Sequence, residues 1–278
     1  MKRYFIHIQG IVQGVGFRPF IHRLATASGL SGKVWNDSSG VYVEAEGEEA
    51  ELTAFVRRIP QKAPPLAMID SLEWREIPAR GGRGFQISAS GPPTVAFTPV
   101  SPDVATCEEC LAELFDPNDR RHRYPFINCT NCGPRYTIIQ GLPYDRPLTT
   151  MAAFTMCPAC EAEYHDPADR RFHAQPNACP VCGPRCELRD GQGNRVPCAD
   201  PVLAAIERLR EGRIVAVKGL GGFHLAADAA SEAAVQVLRK RKRRDEKPFA
   251  LMVRSLEDAR RCALSTAEEE ILLQSPQR

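Results

Sequence analysis

The chain has 278 residues, 43% apolar and 25% charged, with a net charge of +2. That balance fits a globular protein with room for two or three domains, and excludes disorder throughout or a basic surface spread over the whole molecule. The opening MKRYFIHIQG lacks the apolar core of a secretory signal and no stretch approaches a membrane span, so a cytoplasmic protein without membrane contact is expected.

Residues 1–91 read as a first domain. YFIHI, KVWN, VYVEAE, SLEWREI and FQIS carry strand signals, and residues 19–28 and 48–58 carry helical ones. The order βαββαβ is that of a ferredoxin-like sandwich. Between the first strand and the first helix lies GIVQGVGFRPF, which places Gly10, Gly14 and Gly16 in a tight loop ahead of Arg18 and Pro19. Glycines let successive N–H groups turn inward, Pro19 is expected at the first helical position, and a helix N-terminus adds its own free N–H groups. Arg18 offers a fork that matches phosphate. The loop reads as a phosphate cradle, but neither a Walker loop nor a dinucleotide fingerprint is present.

GPPTVAFTPVSPDVAT carries four prolines and makes residues 92–106 an expected extended linker. Beyond it, eight of the eleven cysteines fall into four C-x-x-C pairs: Cys107 and Cys110, Cys129 and Cys132, Cys157 and Cys160, Cys179 and Cys182. The second set repeats the first, and DPNDRRHRYPFINCTNCGPR aligns with DPADRRFHAQPNACPVCGPR, so the repeat extends past the cysteines. Such spacing suits two metals, each held by four thiolates, with fingers at 107–132 and 157–182. Iron in a rubredoxin-like site would use the same ligands, but nothing suggests an electron-transfer partner, so structural zinc is expected. The pairs could close in sequence or interleave; closure in sequence is expected. Cys186, Cys198 and Cys262 read as ordinary thiols.

Residues 199–278 read as a helix at 201–211, a buried strand RIVAVKG, a Gly-rich turn, a helix at 231–242 and a strand PFALMV. The unbroken basic run from Arg239 to Arg244 is of a kind that is usually solvated or set against nucleic acid.

GIVQGVGFR and VWNDSSGV together resemble the acylphosphatase family across residues 4–90. The resemblance implies that the N–H groups of Gln13, Gly14, Val15, Gly16 and Phe17 cradle phosphate, that Arg18 binds it, and that the Asn36 amide orients the attacking water. An acyl phosphate is already activated, so positioning and charge stabilisation suffice.

That domain, the duplicated fingers, and then IVAVKGLGGFHLAADA and LRKRKRRDEKPFALMV in this order resemble the HypF family of nickel-iron hydrogenase maturation carbamoyltransferases. The resemblance implies an α+β multidomain chain: a ferredoxin-like acylphosphatase domain, two zinc fingers and an incomplete α/β YrdC-like domain. It implies carbamoyl phosphate hydrolysis, carbamoyl adenylate formation with ATP, and transfer to the C-terminal cysteine of the HypE protein, on the way to iron-bound cyanide. The YrdC pattern carries over to Lys242, Arg244 and Lys247, with Pro248 following, and the neighbouring KGLGGFHL adds Lys218 and His224 as ATP-binding candidates. ATP phosphates rather than nucleic acid are then the expected partner of the basic run. The chain is expected to be an N-terminal fragment that retains the acylphosphatase part. A stand-alone acylphosphatase with structural fingers and a zinc-finger nucleic-acid binder are the competing readings.

Overall fold

The computed structural model describes residues 1–90 and 99–275. They pack as two units, Met1–Pro184 and Arg185–Ser275.

The first unit opens with β1 (Lys2–Ile11), α1 (Phe17–Ala27), β2 (Ser31–Asp37), β3 (Gly40–Gly47), α2 (Glu49–Gln61), β4 (Met68–Ile77) and β5 (Phe85–Ile87). The sheet order is β4-β1-β3-β2-β5, antiparallel except where β5 pairs parallel with β2. Period-two alternation sends Ile6, Ile8, Val34, Val41 and Val43 to one face, where they meet Ile21 and Ala25 of α1 and Leu52, Phe55 and Ile59 of α2. Every one of these side chains is fully buried, and full burial of a large aliphatic contributes roughly 1.5–3 kcal/mol. The opposite face carries a half-buried ring cluster of Phe5, His7, Trp35 and Tyr42.

Two boundaries differ from expectation. α1 begins at Phe17, so Pro19 takes the third helical position rather than the first. This is tolerated because none of the first four N–H groups of a helix has an intrahelical acceptor to lose. α2 runs past residue 58 and carries Pro60 in its last turn.

The finger region follows. Residues 92–98 of the expected linker, with Gly91 before them, lie outside the described residues; Val104 bridges Gly133, and the Asp103 carboxylate accepts from the backbone N–H groups of Arg135 and Thr137. Two helices that the spacing did not announce, α3 (Glu108–Phe115) and α4 (Pro158–His165), start directly after Cys107 and Cys157. The repeat is visible in the backbone. Arg123 and His173 both take left-handed φ, 57° and 54°, and their N–H groups donate to Leu114 and Tyr164 at 2.8 and 2.9 Å.

The second unit holds α5 (Pro201–Arg210), β6 (Val215–Lys218), β7 (Phe223–Ala226), α6 (Glu232–Lys242), α7 (Leu256–Cys262) and α8 (Ala267–Leu273). Caps at Asp200, Ser231 and Ser255 and a full capping box between Thr266 and Glu269 set the helix starts. The expected strand in RIVAVKG forms, but it is not buried: among the described residues it pairs only with β7, and Val217 is exposed. PFALMV is no strand at all. It has no ladder partner among the described residues, and Leu251 and Met252 lie in solvent, so apolar character alone does not hold it extended.

Candidate functional site

The cradle is built by the β1–α1 loop and the β2–β3 hairpin. Gly14 and Gly16 adopt φ of 74° and 73°, a left-handed conformation that leaves the loop free to turn its N–H groups to one side. Among the described residues, the N–H groups of Gln13 through Arg18 donate to no backbone carbonyl. The Gln13 side chain fastens the loop: its amide N–H group donates to the Asp37 and Gly40 carbonyls at 2.6 and 3.1 Å, and its Oε1 accepts from the Tyr144 N–H at 3.1 Å. Asn36, 2% exposed, lies near the end of β2 with an Oδ1 that has no hydrogen-bond partner among the described residues. Arg18 and Asn36 line one small cavity of about 30 Å³.

The far wall of this cavity comes from the finger region, through Thr130, Arg135, Tyr144, His173 and Gln175. Arg135 is 1% exposed; its guanidinium donates to the carbonyl of Gly14 and also to those of Cys129, Thr130, Cys132 and Pro134. One arginine thus ties the cradle loop to a cysteine turn. The Arg18 Nη2 donates to Asp145 Oδ1 at 2.6 Å, and Ser90 Oγ donates to the other oxygen of the same carboxylate. Burial, with Arg18 nearby, pushes His173 down to about 4, so this histidine is neutral at neutral pH.

The eight cysteines form two clusters, Cys107, Cys110, Cys129 and Cys132, and Cys157, Cys160, Cys179 and Cys182, each with its sulfurs within 4.8 Å of one another. The pairs close in sequence. Sulfur separations of 3.7, 3.8 and 3.4 Å in the first cluster and 3.7, 3.8 and 3.6 Å in the second match the edge of a tetrahedron with Zn–S bonds of about 2.3 Å. Both clusters therefore fit a zinc ion each. Four protein ligands would close the coordination shell and leave the metal a structural role.

Around the clusters the two repeats exchange arginines. Arg120 and Arg121 of the first repeat donate to Cys160 Sγ at 3.3 and 3.6 Å, and both pair with Glu163. Reciprocally, Arg170 of the second repeat donates to Cys110 Sγ at 3.2 Å, and Arg170 and Arg171 pair with Glu113. Even the backbone acceptors correspond, Arg121 donating to the Ala178 carbonyl and Arg171 to that of Asn128. Hydrogen bonds from Arg121 and Arg120 outweigh the opposing effect of burial and hold Glu163 at about 2.

In the second unit, Lys218, His224, Lys242 and Lys247 are exposed. Lys218 lies over the Phe223 ring at 5.5 Å, and His224 faces Val217 across the β6–β7 hairpin. Arg244 turns inward: it donates to the Lys247 and Pro248 carbonyls at 3.2 and 2.9 Å, while Arg239 donates to the Arg244 carbonyl at 2.7 Å. Two members of the basic run thus hold the turn after α6, with Phe249 against both guanidinium groups.

Sequence reasoning assigned nothing to Arg135, Asp145 or the paired arginines. A signal for some of them existed: the DRR triplet and C-G-P-R both recur in the repeat.

Similarity to known proteins follows the same divisions. An Acylphosphatase family model matches residues 4–87, a HypF finger model matches 106–139 and 156–189, and a Telomere recombination model matches 207–278. Carbamoyltransferase HypF2 of Cupriavidus necator is 52% identical over 278 residues, covering 99% of this chain. The chain belongs to the HypF family. It spans about a third of the HypF relatives it matches, 34% of the Cupriavidus protein. A crystal structure of full-length HypF in the phosphate- and nucleotide-bound form superposes with a TM-score of 0.92 at 49% identity, covering 99% of this chain and 36% of that one. The acylphosphatase of Thermotoga petrophila is 40% identical over 88 residues, 31% of this chain and 97% of that protein. The chain is thus mixed α+β, with an acylphosphatase-like part, two four-cysteine clusters and part of a YrdC domain. Among its described residues no helix is long and apolar enough to cross a membrane.

Proposed function

We propose that this chain carries the carbamoyl phosphate hydrolase of a HypF carbamoyltransferase, with the β1–α1 cradle as its active site. The observation that carries the reading is the meeting around one cavity of Gln13, Gly14, Gly16, Phe17, Arg18 and Asn36, where, among the described residues, the loop N–H groups donate to no backbone carbonyl and the Asn36 Oδ1 has no partner. The loop N–H groups and the start of α1 bind the phosphate oxygens, and Arg18 neutralises their charge. Asn36 Oδ1 accepts a hydrogen bond from the attacking water and orients it toward phosphorus. Water adds at phosphorus as the P–O bond to the carbamoyl group breaks; carbamate leaves with the bridging oxygen, and the added water sheds its proton to solvent. No protein nucleophile is required, because the fixed donors match charge that develops in the transition state.

On this reading carbamate passes to the YrdC-like part, where ATP converts it to carbamoyl adenylate, with Lys218, His224, Lys242, Arg244 and Lys247 as binding candidates. The carbamoyl group then goes to the C-terminal cysteine of HypE, in the cytoplasm, through parts that belong to the longer relatives. The relative solved with phosphate and nucleotide bound supports both halves of this scheme.

The test is phosphate release from carbamoyl phosphate by the 278-residue chain. Arg18→Ala and Asn36→Ala should each lower turnover at least 100-fold with the fold retained by circular dichroism. Retained turnover in a folded Arg18→Ala protein would overturn the assignment.

A further inference from the structure

We propose that Asp145 is a positioning residue for the cradle: the finger region supplies the carboxylate that aims the phosphate-binding arginine. The inference rests on the hydrolase reading of the cradle and adds to it a residue that lies 127 positions away in the chain.

Arg18 has a long, flexible side chain, and a guanidinium binds phosphate in two-pronged fashion only when its plane is fixed. Among the described residues the acylphosphatase part contributes little to fixing it, offering only Ser90 Oγ, at 3.4 Å from Nη1. The short bond comes from Asp145 Oδ1, 2.6 Å from Nη2. Asp145 is held in turn. Ser90 donates to its second oxygen, and the residue sits between Tyr144, whose N–H is bound by Gln13, and Arg146, whose N–H and guanidinium are bound by Gln175. Both neighbours are thus anchored, one to the cradle and one to the second repeat.

The carboxylate engages a single terminal nitrogen of Arg18, and the other makes only the long bond to Ser90 Oγ, which leaves N–H donors of the fork for a phosphate oxygen. With side-chain exposures of 9% and 21%, the pair is shielded enough for the charge to matter. Asp145 acts through Arg18 alone, so its effect should vanish when the fork is gone.

The experiment measures carbamoyl phosphate hydrolysis by the full chain and by Arg18→Ala, Asp145→Asn, Ser90→Ala, Arg18→Lys and the Arg18→Lys/Asp145→Asn double variant. Thermal midpoint and bound zinc are recorded for each. Asp145→Asn should lower kcat/KM ten- to a hundredfold in the native background and threefold or less beside Arg18→Lys, with midpoint and zinc content unchanged. Ser90→Ala, which removes the second tether, should lower it a few-fold. Unchanged turnover in Asp145→Asn while Arg18→Ala is inactive would overturn this inference and leave the hydrolase reading standing. An equal loss from Asp145→Asn in both backgrounds would also overturn it, because a purely structural role predicts that result. Unchanged turnover in Arg18→Ala would overturn both.

Discussion

The two units treat the same kind of side chain in opposite ways. In Met1–Pro184, the apolar residues of strands and helices close over a continuous core and a second cluster around the cysteines. In Arg185–Ser275, only Ala234 and Leu238 are buried apolar residues among the described ones, while Phe223, Leu251, Met252 and Ile271 stand 60% or more exposed. Secondary structure in the second unit is therefore held mainly by caps, local turns and the β6–β7 pairing, with little burial. Helix starts survive that condition, because a cap needs only its own first turn. A strand such as the one expected in PFALMV does not, because its bonds must come from a neighbour.

Removing the metal should break the comparison most severely. Ligand binding at a four-thiolate site is folding free energy, on the order of 10 kcal/mol per site. Chelation should melt the finger region, remove the far wall of the cradle and leave β1 to β5 with their own core. Hydrogen exchange resolved by peptide would show protection lost at residues 107–184 and retained in the sheet; uniform retention would contradict it.

The next effect is that of one arginine. Arg171 is 3% exposed and paired with Glu113, so Arg171→Ala leaves a shielded carboxylate with one partner fewer and should cost about 3–5 kcal/mol. Chemical denaturation followed by a finger-region probe measures this. A cost below about 1 kcal/mol would place the pair with ordinary surface bridges.

A pH titration sharpens the contrast further. His173 is held near 4, below its unfolded value of about 6.5, so the unfolded chain takes up the proton first. The stability this neutral imidazole allows is full above about pH 6.5 and is lost progressively as pH falls toward 4, by about 3 kcal/mol at most. His173→Asn, a residue suited to φ of 54°, should flatten the stability profile of the first unit in that window. The profile of the second unit should not change on this substitution.

The smallest effect is expected there. Leu225, 45% exposed on β7, should tolerate Ser with a change within about 0.5 kcal/mol, whereas Leu52→Ala in the first core should cost about 2–5 kcal/mol.

Much of the cradle was legible because its signals are local. Glycines at 14 and 16, Arg18 and Asn36 stand on one loop and one hairpin, and the cysteine spacing reports its own clusters. What closes the cradle was not legible. The bonds from Arg135 to Gly14 and from Arg18 to Asp145 join residues 121 and 127 positions apart, and no periodicity announces a pairing across that distance. The exposure of β6 was hidden for a related reason: an apolar run shows what a segment would bury, and says nothing of what covers it.

The arginine exchange between the repeats bears on how the metals are acquired. A zinc ion with four thiolates would carry two negative charges; the second cluster meets the guanidinium groups of Arg120 and Arg121 and the first that of Arg170, each borne by the other repeat. A half-loaded chain would therefore present one set of arginines facing protonated thiols in an unformed turn. The second ion enters a site that the first has helped to build, so uptake should be steep and release slow. Each finger thus supplies arginines to the other's cysteine cluster, and on this geometry the two sites would fill as one two-metal unit.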